Sequence, residues 1–196
     1  MSIRQTAPPT AEPVSLDALK AHLRVDGGDE DELLAAYCAA AREACETFQG
    51  RAYVAQIWQV TLDRFPGPGE DWVADKDFVP SADPFSVGVI KLPRPPLQSI
   101  TSIAYVDANG ATQTLAASGY QVDTASEPGR VLPAYNGSWP STRAQPNAVT
   151  ITFTAGYATP FTADATTNLL TATRRTFASG DLVRLTNDGE IGRAHV

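Results

Sequence analysis

The chain has 196 residues, of which 43% are hydrophobic and 19% are charged, and its formal net charge is −7. This length suits one domain, or one domain with a small addition, and it is enough to bury a hydrophobic core. The acidic balance argues against specific nucleic-acid binding, which usually needs a basic surface, although Arg174-Arg175 forms a local basic pair. No apolar run approaches the ~20 residues of a membrane-spanning helix, so we expect no membrane partner.

The N-terminal residues predict no secretion signal, and the composition limits the chemistry. Residues 1–6 lack the apolar stretch of a signal peptide. The chain has two histidines, His22 and His195, and two cysteines, Cys38 and Cys45. Such a chain has few means of building a metal site or a nucleophile–base pair. Composition therefore predicts that it is not an enzyme and carries no cofactor or metal.

Two helices are predicted after an extended arm at residues 1–14, which holds three prolines. Ser15 is typical of a helix N-cap, and apolar residues follow at helical spacing up to a predicted end near Arg24. Asp29 is the predicted N-cap of the second helix, with Glu32 three residues later as in a capping box, and Gly50 ends it. Apolar residues recur in this second helix at steps of three and four: Leu33, Leu34, Tyr37, Ala41, Ala44, Cys45 and Phe48.

A β-rich domain is predicted over residues 51–158. Residues 66–86 are rich in proline and aspartate and predict a long loop, and Pro93-Arg94-Pro95-Pro96 predicts a turn between strands. Asn109-Gly110 predicts a hairpin with a type I′ turn. The predicted strands are 53–62, 87–92, 99–107, 112–115, 120–123 and 148–155.

An incomplete β-module is predicted over residues 159–189. Strand-like runs at 169–173 and 181–185 flank Ala178-Ser179-Gly180. Because a two-stranded hairpin is only marginally stable alone, we expect this module to be unfinished.

Residues 190–196, Glu-Ile-Gly-Arg-Ala-His-Val, have a different origin in our interpretation. Written as the codons GAG ATC GGA AGA GCA CAC GTC, they reproduce the opening bases of a widely used short-read sequencing adapter. We therefore expect a truncated metagenomic sequence whose natural protein diverges near Glu190, so that His195 is foreign. The alternative is a genuine C-terminus.

The candidate ligands and nucleophiles have simpler structural explanations. Cys38 and Cys45 lie about 10 Å apart along one helix, too far for a disulfide, and are expected to be small, reduced core residues. Residues 26–32 are acidic, but their spacing does not fit a calcium loop, so we interpret them as a solvated turn with capping acids. His22 is expected to be a packed or surface histidine, since no nucleophile accompanies it.

Aromatic residues and loop carboxylates support two rival hypotheses. Trp58 is expected in the core, whereas Trp72 and Trp139 fall in predicted loops and suit interface contacts. With Tyr135, they could form a β-sandwich module that binds carbohydrate or another virion surface. A hydrolase built on Asp71, Asp75 and Asp77 is the weakest hypothesis, because acids in such a loop need no catalytic reason.

The order and spacing of the motifs over residues 5–158 resemble one known family. The resembling features are the two helices, the strand around Trp58, Leu92-Pro93-Arg94-Pro95-Pro96, Tyr105-Val106-Asp107, Asn109-Gly110, Tyr120-Gln121-Val122-Asp123, Glu127-Pro128-Gly129-Arg130, Trp139-Pro140 and Ala148-Val149-Thr150-Ile151. The chain resembles the head–tail connector proteins of tailed bacteriophages and gene transfer agents, also called adaptor or head-completion proteins.

This resemblance implies a structural virion protein without catalytic activity. Its partners would be the portal protein, neck or tail proteins and further copies of itself in a ring, typically of twelve. It would reside in the virion, and in the bacterial host cytoplasm during assembly. The implied fold class is α+β, an N-terminal amphipathic helix pair followed by an antiparallel β-rich insertion. Family members usually continue with a C-terminal helical segment, which is expected to be missing here and replaced by the incomplete β-module.

Overall fold

The computed structural model describes residues 2–73, 77–80 and 88–157, together with the backbone of four short strands between residues 161 and 194. The chain divides into two units, residues 1–158 and 159–196. The first unit is α+β, with two helices and two β-sheets.

The two helices are α1 (Leu16–Leu23) and α2 (Asp31–Gln49). Ser15 caps α1 as predicted, since its Oγ accepts a hydrogen bond from the Ala18 backbone N–H at 3.2 Å. The predicted cap of α2 was wrong by one residue: Glu30, not Asp29, holds the N-cap position and makes no side-chain capping bond. Gly50 ends α2 with a left-handed φ of 66°, a conformation that glycine adopts without steric cost.

The first sheet has five antiparallel strands in the order β1-β2-β10-β6-β7. Its strands are β1 (Ser2–Ala7), β2 (Gln56–Leu62), β6 (Leu97–Val106), β7 (Thr112–Thr114) and β10 (Val149–Ala155). Burial alternates strictly along β10, so one face of this sheet covers the core and the other faces outward.

The second sheet is mixed, with the order β4-β3-β5-β9-β8 and one parallel pair, β3 with β5. Its strands are β3 (Glu70–Val73), β4 (Asp77–Pro80), β5 (Val89–Lys91), β8 (Tyr120–Asp123) and β9 (Arg130–Pro133). A 3₁₀ turn, Ala117–Gly119, precedes β8.

The hydrophobic core draws side chains from both sheets, so the first unit is a β-sandwich with two helices attached. The largest buried core side chains include Leu62, Trp72, Ile90, Ile103, Val131, Ile151 and Phe153. The helices give this core little, since Leu34 is the buried apolar residue of α2 and every residue of α1 stays partly exposed.

Several strands differ from the predictions. Residues 2–7 of the predicted arm form β1, the predicted loop 66–86 contains β3 and β4, and β9 was not predicted. Asn109-Gly110 does lie in a hairpin between β6 and β7, but type I′ was wrong, because Gly110 has a positive φ and Asn109 does not. The Asp107 carboxylate instead holds the turn by accepting from the N–H groups of Asn109 and Ala111.

The second unit contains two short hairpins in its described part. β11 (Phe161–Asp164) pairs with β12 (Leu169–Ala172), and β13 (Val183–Arg184) pairs with β14 (Arg193–Ala194). The described parts of the two predicted runs, residues 169–172 and 183–184, therefore pair with other strands and not with each other. Arg174-Arg175, Ala178-Ser179-Gly180 and His195 lie outside the described residues, as do residues 190–192, so the adapter hypothesis stays a prediction.

Candidate assembly surface on the helices

α2 is attached to the sandwich through a buried ionic network, and Leu34 is its one buried apolar side chain. Arg42 Nη1 donates to Glu46 Oε2 at 2.8 Å, one helical turn away, and Arg42 Nε donates to Glu12 Oε2 at 2.7 Å. Glu46 Oε1 in turn accepts from the Tyr53 N–H at 2.7 Å and from Gln56 Nε2 at 2.5 Å. The Arg42 and Glu46 side chains are both buried, and the hydrogen bonds offset the cost of removing them from water.

The environment of Arg42 shows how this network keeps its charge. Burial by itself lowers the pKa of Arg42, but hydrogen bonds and charge from Glu12 and Glu46 outweigh burial and hold that pKa above its usual value. The network therefore favours the charged form of the guanidinium. It ties the segment before α1 to the inner side of α2.

The turn at Arg94 holds the C-terminal end of α2. Arg94 has a left-handed φ of 61°, and its Nη1 donates to the Glu46 carbonyl at 3.0 Å. Its guanidinium lies 5.0 Å from the ring centroid of Trp58, a cation–π contact. The proline-rich motif Pro93-Arg94-Pro95-Pro96, predicted as a turn, thus joins the helix to the sheet.

The outer side of α2 carries an exposed apolar stripe. Leu33, Tyr37 and Phe48 are 50%, 61% and 92% exposed, and Ala44 is exposed between them. At 100° per residue these four positions fall within about 60° of one another, along about 22 Å of helix. We call Leu33, Tyr37, Ala44 and Phe48 the α2 stripe.

α2 departs from the pattern of an ordinary surface helix, although its Leu34 is buried and its Glu32 and Glu43 are exposed. Such a helix buries its apolar side and exposes its charged side. Here Arg42 and Glu46 face the protein, whereas the α2 stripe faces outward. An exposed apolar stripe of this kind is a candidate site of interaction with another molecule.

The acidic turn beside the stripe is held by a lysine of α1. Lys20 Nζ lies 2.6 Å from Asp31 Oδ1 and also donates to the Gly27 carbonyl. Lys20 thus connects α1 to residues 27–30, which form a turn as predicted, whereas Asp31 and Glu32 already belong to α2. Within the described residues, no group of three His, Cys, Asp or Glu side chains could hold a metal ion.

The two cysteines and His22 do not form a site. Cys38 is partly buried, with its Sγ 3.8 Å from the Val14 carbonyl oxygen. Cys45 is exposed, so its placement in the core was wrong. His22 lies exposed in the last turn of α1.

The aromatic residues of the carbohydrate hypothesis do not form a common platform. Trp72 was predicted in a loop, but it lies in β3 and is fully buried in the core. Trp139 stacks on Phe65 with 4.7 Å between ring centroids, and its Nε1 donates to the Gly88 carbonyl at 2.7 Å. An open groove of about 440 Å³ lies beside this pair. Tyr135 is exposed, whereas Trp58 packs against the core as predicted.

The carboxylates of the hydrolase hypothesis are not shown to converge. Asp71 is buried and its Oδ2 lies 3.3 Å from Lys91 Nζ. Asp77 belongs to β4 by its backbone, and Asp75 lies outside the described residues. Asp71 is thus an ion-paired structural residue of the second sheet.

Comparison with known proteins agrees with this architecture. The chain shares 23% identity with a protein in the neck of an empty gene transfer agent particle, computed with C6 symmetry; the match covers 80% of this chain and 72% of that chain, with a TM-score of 0.56. A chain in the virion of a native gene transfer agent particle gives 22% identity, the same coverage and a TM-score of 0.56. These likenesses show the fold. No curated protein sequence gives a significant match.

Among the helices of the described residues, none has the length and hydropathy needed to cross a lipid bilayer.

A family model identifies the family of the chain. The model of the phage gp6-like head–tail connector protein matches residues 13–118, more than half of the chain. That segment includes both helices, the ionic network from Arg42 to Glu46, and the Arg94 turn. The chain therefore belongs to the phage gp6-like head–tail connector protein family.

Proposed function

We propose that the chain is a structural component of the virion neck that assembles into a ring and joins the portal vertex of the head to neck or tail proteins. The observation that carries this proposal is the exposed α2 stripe on a helix whose Arg42 and Glu46 are buried. Family membership supports the connector role, and the sixfold symmetry of the similar gene transfer agent neck supports a ring. We propose twelve copies, a number compatible with that symmetry and implied by the resemblance.

In the ring, the α2 stripe is covered by the neighbouring copy. Burying Tyr37 and Phe48 removes two large apolar surfaces from water, which favours association. The contact is between different patches on the two copies, since a closed ring uses head-to-tail interfaces. The proposal assigns no catalytic step, cofactor or nucleic-acid contact to the chain. It places the protein in the virion, and in the bacterial host cytoplasm during assembly.

The proposal is tested by measuring assembly of the full chain with portal rings. We expect co-sedimentation with portal at micromolar concentration and, by light scattering, a mass corresponding to a ring. Phe48→Glu places a charge in the buried contact and is expected to abolish both signals. Tyr135→Glu is the matched control, because Tyr135 is equally exposed (86%) but lies on a loop of the sandwich. A full chain that stays monomeric with portal, or equal losses in the two variants, would contradict the proposal.

A further inference from the structure

The helix α2 is anchored at one end of the first sheet. Glu46 accepts hydrogen bonds from the Tyr53 N–H and from Gln56, the first residue of β2. Arg94, shortly before β6, donates to the Glu46 carbonyl. Because the starts of β2 and β6 both lie beside the end of β10, they mark the same end of the sheet. The C-terminal part of α2 is therefore fixed at this end of the sandwich.

An open groove lined by residues 64–68 and 137–142, which we call the Trp139 groove, lies at the opposite end of the same sheet. Phe65 follows the end of β2 by three residues, and Thr142 pairs with Asp107 directly after β6. The length of β2 separates the two ends of the sheet by about 20 Å, at roughly 3.3 Å per residue. The anchor of α2 and the groove thus belong to different sides of the molecule.

The Trp139 groove has the size and the chemistry to accept apolar side chains. Its lining contains the stacked rings of Phe65 and Trp139, together with Pro66 and Pro140. Trp139 Nε1 already donates to the Gly88 carbonyl, so the indole offers the groove mainly apolar surface. The groove volume of about 440 Å³ falls in the range of about 300–1,000 Å³ that encloses a drug-sized ligand, so it has room for aromatic side chains.

Charged groups of opposite sign lie beside the stripe and beside the groove. Glu32 and Glu43 are exposed on α2, at one flank of the α2 stripe. Arg143 is exposed directly after Thr142, at the end of the groove lining. Complementary charges across a contact fix its register and disfavour wrong partners. An arginine beside the groove can therefore face the carboxylates beside the stripe.

We propose that the α2 stripe of one copy docks in the Trp139 groove of the next copy, so that Tyr37 and Phe48 pack against Trp139. This inference rests on the proposed ring and names the second surface of its contact. A closed ring joins two different patches of each copy in head-to-tail contacts. The chain meets this requirement, because each copy can offer its stripe to one neighbour and its groove to the other. Tyr135 is not part of the groove lining, so this contact does not use it.

Mixed single-cysteine variants test this pairing. In a Cys38→Ala/Cys45→Ala background, chains with Ala44→Cys in the stripe are mixed with chains with Ser138→Cys at the groove. Ala44 and Ser138 are both exposed, and surface substitutions of this kind change stability little. The mixture is assembled with portal rings and treated with a short bis-maleimide. The expected product is a covalent dimer that joins the two variants, identified by mass spectrometry of its cross-linked peptide.

The matched control uses Ser99→Cys in place of Ser138→Cys. Ser99 is also an exposed serine, but it lies on β6 at the α2 end of the sheet, so it should give no dimer with Ala44→Cys. Three results would overturn the pairing in rings that have formed: no dimer through Ser138→Cys, equal dimer through Ser99→Cys, or Ala44→Cys joined to portal. Light scattering before cross-linking separates the two proposals, because chains that form no ring contradict the proposed function and the pairing with it.

Discussion

The sandwich and the helices of the first unit follow opposite rules of burial. In the sandwich, Trp72 and Phe153 are buried among aliphatic side chains from two sheets. In α2, Arg42 and Glu46 are buried, and the aromatic Tyr37 and Phe48 are exposed. The sandwich is therefore held by a large apolar core, whereas α2 is attached largely by directed polar bonds and leaves apolar side chains exposed.

The largest expected effect comes from the sandwich side of this contrast. Phe153→Ala removes a fully buried ring from β10, and such a cavity costs about 3–5 kcal/mol of unfolding free energy. Urea denaturation followed by tryptophan fluorescence measures this loss. A loss below about 1 kcal/mol would mean that the sandwich core is not the source of stability.

Breaking the ionic network should have the next largest effect. Arg42→Met leaves Glu46 buried without its cation, which costs about 3 kcal/mol in comparable pairs. Glu46→Gln in the same chain removes the charge but keeps the Oε1 acceptor for Tyr53 and Gln56. The double variant is therefore expected to recover about 1 kcal/mol or more. Strictly additive losses in urea denaturation would show that Arg42 and Glu46 do not stabilise each other.

A smaller effect on stability is expected when the pH is lowered. Hydrogen bonds from Ser126 and Arg130 lower the pKa of Asp123 well below its usual value. A depressed folded-state pKa adds stability above the unfolded value of about 3.9, and this is lost as pH falls. Thermal midpoints measured from pH 6 to pH 2 should fall less steeply for Asp123→Asn than for the unchanged chain. Identical slopes would show that this carboxylate does not contribute.

The smallest effect on stability is expected at the α2 stripe. Phe48→Ala removes a ring that is almost entirely in water, so the unfolding free energy should change by no more than about 0.5 kcal/mol. Urea denaturation checks this directly beside Phe153→Ala. A large loss would place Phe48 in the core of the monomer and remove the contrast between the two regions.

The sequence predicted features that depend on neighbouring residues. Ser15 begins α1 and Gly50 ends α2 through local hydrogen bonds and backbone geometry. The local sequence was therefore sufficient to predict both helix ends. The burial of Trp72 was missed because it depends on a parallel pairing of β3 with β5 across a segment rich in proline. β1 was missed because its residues are mostly polar and its partner β2 is more than 50 positions away.

The α2 stripe was only partly predictable from the sequence. Helical periodicity identified Tyr37, Ala44 and Phe48 as one face, but it cannot say whether that face points inward or outward. The missed signal was the pair Arg42 and Glu46, at i and i+4 on the other side of the helix. Their buried role depends on Glu12, Tyr53 and Gln56, which the fold alone brings together.

Hydroxyl-radical footprinting of Tyr37 and Phe48, before and after assembly with portal rings, tests the central claim most directly. Tyr135 serves as the internal reference, since it is exposed but lies on the sandwich. We predict strong labelling of all three side chains in the free chain, and protection of Tyr37 and Phe48 alone in the assembled ring. Unchanged labelling of Tyr37 and Phe48 in the ring would contradict the assignment of the α2 stripe as the assembly surface.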